Sequence, residues 1–258
     1  MVESSEHKKP SKPRKERLDI LIVQCGLAPS RERAQALLIA GQIRVDGKLM
    51  DKAGTRVLSD AHIEVTGSAQ RYSSRGGLKL EGALRDFAVD PSGRICLDIG
   101  SSTGGFTDCL LQHGAEKVHC VDVTIDQLDW KLRQDQRVRT VEENARNLQP
   151  EDIGERVDLV VMDLSFISVA KVLPAVVASS GPAPEYLILV KPQFELEKSA
   201  VGKGGIVKDE AARQRAIERV SAAAEAVGLE ILGVKPSHIR GAEGNQEFFL
   251  HARRRPVE

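Results

Sequence analysis

The sequence of 258 residues predicts an α/β protein with a doubly wound parallel sheet, preceded by a small α+β unit. From about Gly76 onward, short apolar strand patterns alternate with longer amphipathic helical patterns, which is typical of a parallel sheet with helical crossovers. Residues 14–67 instead combine two helical patterns with very short strand patterns, and a polar stretch separates the two regimes. We therefore expect an N-terminal domain over residues 14–67, a linker over 68–75 and a larger domain over 76–258.

The N-terminal domain follows a tail, residues 1–13, that consists largely of Lys, Ser, Pro and Glu and is expected to be disordered. Apolar residues at helical spacing predict a first helix from about Leu18, and Gly26 is a typical C-terminal stop. The second helix is predicted to begin after Ser30, which is a good N-cap, and to end at Gly41. Short strands are expected to complete the domain at residues 43–45 and 63–65.

The larger domain is predicted from seven strand patterns and the helical patterns between them. The strands are expected at residues 95–99, 118–121, 138–141, 157–162, 187–190, 231–234 and 247–252. The helices between them are expected at residues 105–112, 125–133, 169–178 and 210–227, with one more opening the domain near Lys79. Only residues 236–244 separate the last two strands, which is too short for a helical crossover, so these strands are predicted to form an antiparallel hairpin.

The composition excludes several classes of protein. The 41% of hydrophobic residues are too many for a disordered chain, and no apolar run approaches the roughly 18 residues that a membrane span needs. The charged N-terminus lacks the apolar segment of a secretory signal. The four cysteines show no CxxC spacing, so we expect reduced, buried thiols in a cytoplasmic protein that has neither disulfides nor a metal site. We also expect a monomer.

The chain has 37 Lys and Arg against 37 Asp and Glu, and this overall neutrality by itself argues against a nucleic-acid partner. A count of the charges by segment changes that interpretation. Residues 1–70 carry 12 basic and 9 acidic side chains, a net charge of +3, whereas the rest of the chain carries 25 and 28, a net charge of −3. On charge alone, a solvated helix surface explains the basic side chains of the N-terminal domain equally well. The candidates for RNA contacts are Arg14, Arg17, Arg31, Arg33 and Lys48.

The segment from Ser30 to Lys48, SRERAQALLIAGQIRVDGK, resembles the S4 family of RNA-binding domains in order and spacing. The resemblance covers about 50 residues and implies a helix-turn-helix face whose arginines contact RNA phosphates. Arg31, Arg33 and Lys48 are the leading candidates for those contacts. Phosphate contacts position a nucleic acid without reading its sequence, so this domain is expected to hold the substrate.

A glycine-rich turn, DIGSSTGGF from Asp98 to Phe106, follows the first strand of the larger domain and opens a helix. Gly100 allows a sharp turn, and Gly104 and Gly105 are expected to let the backbone approach a ligand closely. The spacing is neither GxGxxG nor that of a phosphate loop. The next strand ends at Asp122, where an acid binds a ribose diol in cofactors such as NAD or S-adenosylmethionine.

The acid at Asp98 and the predicted terminal hairpin favour S-adenosylmethionine, because together they resemble the class I (Rossmann-like) S-adenosylmethionine-dependent methyltransferases. Glu143 or Asn144, after the third strand, then lies near the adenine, and Asn144 is our choice. Helix capping or loop polarity is the alternative explanation for Asp98 and Asp122. The expected cofactor-binding residues are Asp98, Gly100, Ser101, Thr103, Gly104, Gly105, Asp122, Asn144 and Asp163.

Four charged residues lie at the ends or edges of predicted elements: Lys79, Asp163, Lys191 and Glu247. Asp163 and Lys191 each follow an apolar strand, and strand carboxyl ends line the ligand crevice of an open parallel sheet. A buried structural ion pair is the alternative explanation for these two. The set resembles the Lys-Asp-Lys-Glu tetrad of FtsJ-type RNA ribose 2′-O-methyltransferases. With SRGGLKL, DIGSSTGGFTD, MDLSFIS, LVKPQFE and NQEFFL in order behind an S4-like domain, the chain resembles the TlyA (hemolysin A) family.

The resemblance implies transfer of the S-adenosylmethionine methyl group to the 2′-oxygen of a cytidine in 16S or 23S ribosomal RNA, within ribosomal subunits. A lysine amine near an acid and another lysine can lower the pKa of the hydroxyl or take its proton. We expect Lys191 to have this role, steered by Asp163 and Glu247, while Lys79 holds the ribose or a phosphate. No metal is expected. The family more often has Ala where this chain has Ser101, a small change that leaves cofactor binding expected.

Three alternatives remain open at this point. A ribosome-binding or assembly factor with an inactive methyltransferase fold would be expected to have lost catalytic residues, whereas all four are present. A hemolysin-like, membrane-lytic protein is suggested by the family's second name, but the sequence has neither a membrane span nor a signal. An NAD-dependent oxidoreductase is disfavoured by the glycine spacing and by the attached RNA-binding domain.

Overall fold

A computed structural model describes residues 14–39, 41–65, 71–241 and 243–255. The predicted disordered tail, residues 1–13, and residues 68–70 of the predicted linker lie outside the described residues. The chain divides into two compact units, residues 1–70 and 71–258. No helix in the described ranges is both long and apolar enough to cross a membrane.

The N-terminal unit packs two short helices against two small antiparallel sheets. Its elements are β1 (Lys15–Arg17), α1 (Leu18–Gln24), α2 (Arg31–Ile39), β2 (Ile43–Val45), β3 (Lys48–Met50), β4 (Arg56–Leu58) and β5 (Ile63–Val65). One sheet has the order β3-β2-β5, and β1 pairs with β4 in the other. Leu18, Ile22, Leu38 and Ile43 are fully buried between them. The sequence pattern found β2 and β5, in which two apolar residues flank a charged one, but it missed β1, β3 and β4, which lack that alternation.

The larger unit alternates strands and helices as the sequence predicts. Its elements are α3 (Arg75–Phe87), β6 (Ile95–Ile99), α4 (Gly105–Gln112), β7 (Lys117–Asp122), α5 (Trp130–Gln134), β8 (Val138–Glu142), α6 (Pro150–Ile153), β9 (Leu159–Met162), α7 (Leu173–Ser179), β10 (Glu185–Val190), α8 (Pro192–Glu195), α9 (Glu210–Ala226), β11 (Leu229–Pro236) and β12 (Phe248–Arg254).

These strands form one seven-stranded sheet in the order β11-β12-β10-β9-β6-β7-β8. Strands β8, β7, β6, β9 and β10 run parallel, whereas β12 is antiparallel to both β10 and β11. The predicted fold class and the predicted terminal hairpin are therefore confirmed. The chain leaves β6 toward β7 on one side and returns to β9 on the other, and this switch point is where open α/β sheets bind ligands.

The apolar runs are buried because helices cover both faces of the sheet. All four residues of β9 are fully buried, and their side chains divide between two core clusters, one on each face. This arrangement explains why β9 and β10 read as continuous apolar runs without alternation. Of the cysteines, Cys96, Cys109 and Cys120 are buried as predicted, but Cys25 is exposed.

Two predicted helices differ in extent from the observed ones, for local reasons. The helix expected at residues 125–133 is shorter in the structure, where it is α5 and begins at Trp130. It begins there because the Asp129 side chain caps it by accepting a hydrogen bond of 3.0 Å from the Lys131 amide. The helix expected at 169–178 is a single 3₁₀ turn, Val169–Lys171, followed by α7, whose first turn contains Pro174.

Candidate active site

The glycine-rich turn between β6 and α4 lies at the switch point of the sheet. Gly100 has a φ of +83°, and a Cβ at this position would meet the Asp163 carbonyl oxygen at 2.7 Å. Only glycine fits both constraints, so the end of β6 and the end of β9 lie in direct backbone proximity. On the other side, the Ser102 amide donates a hydrogen bond of 2.8 Å to Asp122 Oδ2, which joins the turn to the end of β7.

The next two glycines of the turn are required by packing inside the protein. A Cβ on Gly104 would clash with the side chains of Leu128 and Leu132, and a Cβ on Gly105 would clash with Ser74 at the start of α3. Packing against Leu128 and Leu132 thus gives a reason for glycine at position 104 that the sequence did not indicate, and close backbone approach to a ligand stays a prediction. The glycine-rich turn packs between the start of α3 on one side and the segment that contains Leu128 and Leu132 on the other.

The four predicted catalytic residues form two ion pairs at the carboxyl edge of the sheet. Lys191, which follows β10, places its Nζ 2.5 Å from Asp163 Oδ1 and donates a hydrogen bond of 2.9 Å to Ser165 Oγ. Lys79, on α3, places its Nζ 2.6 Å from Oε2 of the buried Glu247. The expectation that Glu247 steers Lys191 is wrong in this geometry, because Glu247 contacts Lys79 and Asp163 contacts Lys191.

Both lysines line one small cavity of ≈ 220 Å³. Asp163, the turn from Gly100 to Thr103 and the first residues of α3 also line it. The predicted site residues that reach this cavity are Lys79, Gly100, Ser101, Thr103, Gly105, Asp163 and Lys191. The sheet edge thus brings two amines, a carboxylate and a glycine turn to one opening.

A second, larger cavity of ≈ 990 Å³ shares Gly100 and Asp163 with the first. Asp122, Glu143 and Asn144 line it as well, so the acid after β7 and both candidates after β8 face the same space. The larger cavity therefore has the carboxylates and the amide that the sequence predicts for a nucleoside cofactor.

Asp98 differs from the other predicted cofactor ligands because it is fully buried. Its Oδ2 accepts a hydrogen bond of 2.6 Å from Thr107 Oγ1 on α4, and its Oδ1 has no hydrogen-bond partner within the described part of the chain. Burial raises the pKa of Asp98 to about 7. Asp98 lines neither cavity, and its side chain holds the helix behind the turn, so a direct cofactor contact of Asp98 stays a prediction.

One buried hydroxyl in the site has no partner. Ser101 Oγ is inaccessible to solvent, makes no hydrogen bond among the described residues, and belongs to a residue that lines the small cavity. A buried hydroxyl without a partner costs free energy in the folded protein, so this atom fits a polar ligand at the turn. The residues present thus fit a cofactor that carries polar groups.

Sequence reasoning missed Phe166, whose side chain is 92% exposed and lines the larger cavity. Its φ is +66°, which is uncommon for a residue other than glycine, and its ring lies 5.2 Å from that of Phe194. Lys191 Nζ lies 5.9 Å from the Phe194 ring centre. The only sequence signal that could have pointed to Phe166 is its position three residues after Asp163.

Glu195 was also missed, although it links the two segments that carry the Asp163–Lys191 pair. Its buried carboxylate accepts a hydrogen bond of 2.5 Å from Ser168 Oγ and one of 2.8 Å from the Val169 amide. Burial raises the pKa of Glu195. The loop after β9 is therefore fixed to α8, which begins directly after Lys191.

The predicted RNA-contacting residues all lie on the N-terminal unit, and the side chains of Arg14, Arg31, Arg33 and Lys48 are exposed. Arg17 lies at the end of β1 and Lys48 at the start of β3. Arg17 and Arg31 both form ion pairs with Asp19, a buried residue in the first turn of α1. The burial of Asp19 and its pairing with both arginines were not predicted from the sequence.

The sheet order, the glycine turn and the lysine–carboxylate pairs define a class I methyltransferase. The family described as FtsJ-like methyltransferase matches residues 72–254, and the S4 domain family matches residues 16–63. The chain belongs to the FtsJ-like methyltransferases, in the S4-containing group that includes TlyA. The alternative of an NAD-dependent oxidoreductase is therefore wrong.

Three relatives illustrate this membership. The chain is 48% identical over 242 residues to the 16S/23S rRNA (cytidine-2′-O)-methyltransferase TlyA of Mycobacterium tuberculosis. The matched region covers 93% of this chain and 90% of that protein. It is 38% identical over 237 residues to Hemolysin A of Brachyspira hyodysenteriae, with 91% and 98% covered. A solved structure from Streptococcus thermophilus, described as a candidate hemolysin, matches with a TM-score of 0.72 and 40% identity, covering 93% of this chain and 88% of that one.

Proposed function

We propose that this chain transfers the methyl group of S-adenosylmethionine to the 2′-oxygen of a cytidine ribose in 16S or 23S ribosomal RNA, within ribosomal subunits in the cytoplasm. The observation that carries the proposal is the pair of lysines, each held by a carboxylate, that lines one cavity beside the glycine turn. The printed activity of the Mycobacterium tuberculosis relative supports cytidine in ribosomal RNA as the acceptor.

We assign cofactor binding to the edge where the two cavities meet. The backbone of Gly100, the free hydroxyl of Ser101 and the side chains of Asp122, Asn144 and Asp163 would hold S-adenosylmethionine there. When bound, S-adenosylmethionine supplies an electrophilic methyl group on a sulfonium centre. The residues of this chain then have to orient the ribose and remove the proton from its 2′-hydroxyl.

Lys191 is the residue that we assign to that proton. A neutral lysine amine has two N–H donors and one lone pair, and its two contacts here are with Asp163 and Ser165. The ion pair with Asp163 and the hydrogen bond to Ser165 hold the amine at the cavity. Once Lys191 has given up its own proton, its lone pair would accept the 2′-hydroxyl proton as the oxygen–carbon bond forms and the bond between the methyl carbon and the sulfonium sulfur breaks. General-base help of this kind is typically worth about 10²–10⁴-fold in rate.

We assign a different role to Lys79. Its partner Glu247 is more deeply buried than Asp163, the partner of Lys191. Lys79 lies on α3, and Glu247 directly precedes β12. A cation held in this way at the cavity wall binds the ribose or an adjacent phosphate by a charge-assisted hydrogen bond. Positioning of the two reactants accounts for a large share of catalysis in reactions that need little acid–base chemistry. We therefore propose that Lys79 and Glu247 hold the acceptor.

The exposed ring of Phe166 supports an unpaired nucleotide as the acceptor. A 2′-hydroxyl reaches a cavity of this kind only when its nucleotide leaves the helical stack, and unstacked bases are commonly held against aromatic side chains. Phe166 offers such a surface beside Asp163 and Ser165. The S4 unit, through its exposed basic side chains, would hold the ribosomal subunit while the larger unit performs the transfer.

The test is a methyl-transfer assay with purified full-length protein, labelled S-adenosylmethionine, and 30S subunits, 50S subunits or naked ribosomal RNA isolated from cells that lack the modification. We expect label in ribosomal RNA from at least one of these substrates, and none with Lys191→Ala. The matched control is Lys235→Ala, which removes a lysine on β11 outside both cavities. Absence of label from every substrate with the wild-type protein would refute the proposal.

A further inference from the structure

A fully buried carboxylate lies beneath two of the predicted RNA-contacting arginines. Asp19 Oδ1 accepts a hydrogen bond of 3.0 Å from Arg17 Nε, and its Oδ2 accepts bonds from Arg17 Nη2 at 3.0 Å, Arg31 Nη2 at 2.9 Å and Gln35 Nε2 at 3.1 Å. Asp19 has 0% of its surface exposed. Carboxylates are almost never fully buried unless they are paired, and here four donors converge on two oxygens.

The two arginines are held but not enclosed. The side chain of Arg17 is 42% exposed and that of Arg31 is 52% exposed. A guanidinium has five N–H donors in a planar fork, and Arg17 uses two of them on Asp19 while Arg31 uses one. Among the described residues, the other donors of both forks make no hydrogen bond, so most of them remain for a ligand at the surface.

The arrangement also concentrates charge. Two guanidinium groups share one carboxylate, which leaves a local net charge of +1 after Asp19 is counted. The hydrogen bonds from Arg17 outweigh the effect of burial and hold the pKa of Asp19 well below its ordinary value, so the carboxylate stays ionised across the physiological range. Without it, two like charges in one place would repel each other and the long side chains would spread over many rotamers.

We propose that Asp19 is a positioning residue that holds Arg17 and Arg31 together as one binding unit for a phosphate of the RNA backbone. Arginine forks match the two-oxygen geometry of a phosphate, and a fork that is fixed beforehand loses less side-chain entropy on binding. The inference rests on the proposed function, because it takes the S4 unit to bind ribosomal RNA.

This proposal and simple charge counting predict opposite signs for one substitution. Asp19→Asn removes a negative charge from the RNA-binding unit, so charge counting predicts tighter binding of RNA. If Asp19 instead fixes the arginines, Asp19→Asn weakens binding, because an Asn amide nitrogen cannot accept their hydrogen bonds. The matched control is Asp60→Asn, which removes the same charge from an exposed residue of the same unit.

The experiment measures the dissociation constant of full-length variants for purified 30S and 50S subunits by filter binding, over a series of potassium chloride concentrations. For Asp19→Asn we expect affinity to fall by about tenfold, in the range of one lost charge-assisted hydrogen bond. For Asp60→Asn we expect affinity that is unchanged or slightly higher. Affinity of Asp19→Asn equal to or above that of the wild type overturns the proposal.

Two further measurements separate positioning from loss of folding. Amide NMR spectra give the folded fraction of the N-terminal unit in each variant, and each dissociation constant is corrected by that fraction. Arg17→Lys keeps the charge but cannot form the two-pronged contact, so it is expected to weaken binding several-fold, whereas Arg56→Lys on β4 is expected to leave it unchanged. Wild-type affinity in Arg17→Lys also overturns the proposal.

Methyl transfer measured on the same preparations distinguishes failure of this inference from failure of the proposed function. Asp19→Asn should raise the KM for ribosomal subunits and leave kcat close to that of the wild type, because the catalytic residues belong to the other unit. A wild-type protein without transferase activity would refute the proposed function. An active wild type with an unchanged KM in Asp19→Asn would refute only the role of Asp19.

Discussion

Replacement of Asp98 by Asn tests whether a neutral carboxyl stands behind the cofactor turn. Asp98 is completely buried, Thr107 Oγ1 donates a hydrogen bond to its Oδ2, and burial raises its pKa to about 7. A carboxyl whose pKa is raised in the folded state contributes its full stability below the unfolded pKa of about 3.9 and loses that contribution as the pH rises toward the folded pKa. Asp98→Asn has no such loss, because its amide does not titrate.

The size of the effect follows from the shift. Each pKa unit corresponds to about 1.4 kcal/mol of stability. Of the interval between the unfolded and the folded pKa of Asp98, roughly two units lie between pH 5 and pH 7. The free energy of unfolding of Asp98→Asn, relative to the wild type, should therefore increase by about 3 kcal/mol between pH 5 and pH 8. All other titrating groups are common to both proteins and cancel in the difference.

Urea denaturation followed by tryptophan fluorescence measures this difference. The sequence has a single tryptophan, Trp130, which lies on α5 in the same unit as Asp98, so the signal reports that unit. The control is Asp90→Asn, which replaces an exposed carboxylate of the same unit. A stability difference between Asp98→Asn and the wild type that is the same at pH 5 and pH 8 would refute a raised pKa at Asp98.

Substitutions at three further residues test the active site, each through steady-state methyl transfer to ribosomal subunits. Phe166→Ala should raise the KM for RNA about tenfold or more, as expected for lost base stacking, while Phe166→Tyr should stay near the wild type; an unchanged KM in Phe166→Ala would contradict a stacking role. Glu195→Ala should lower kcat/KM, whereas Glu195→Gln should retain most of it. The Gln side chain can accept a hydrogen bond from the Val169 amide and donate one to Ser168 Oγ. Equal losses of kcat/KM in both variants would count against a role for these two hydrogen bonds. Glu247→Ala should reduce kcat/KM more than Glu247→Gln, whose carbonyl oxygen still accepts from Lys79 Nζ, and activity of Glu247→Ala close to the wild type would remove the pair from the mechanism.

Much of the fold could be predicted because burial leaves a pattern in the sequence. The continuous apolar runs of β9 and β10 follow from helices on both faces, and the short connection before β12 fixes an antiparallel hairpin. The strand ends then place Asp163 and Lys191 at one edge of the sheet. Strand β1, Lys15–Arg17, has three residues and none of them is apolar, so it leaves no periodic signal and was missed.

The pairing of side chains could not be predicted, because it depends on contacts between distant segments. Lys79 and Glu247 are 168 residues apart in sequence, and nothing in the local pattern shows that they meet. The burial of Asp98 depends in the same way on α4 folding back over β6. Asp19 appears in the sequence as one acid among helical residues, and its four donors come from two other segments, β1 and α2.

Analysis of the methylated nucleoside tests the central claim most directly. Ribosomal RNA from the transfer reaction is digested to nucleosides, and mass spectrometry against standards distinguishes 2′-O-methylcytidine from base-methylated cytidines. The proposed function predicts 2′-O-methylcytidine with the wild-type protein and none with Lys191→Ala. A methyl group on the base, or 2′-O-methylcytidine formed at the same rate by Lys191→Ala, would contradict ribose methylation by this site.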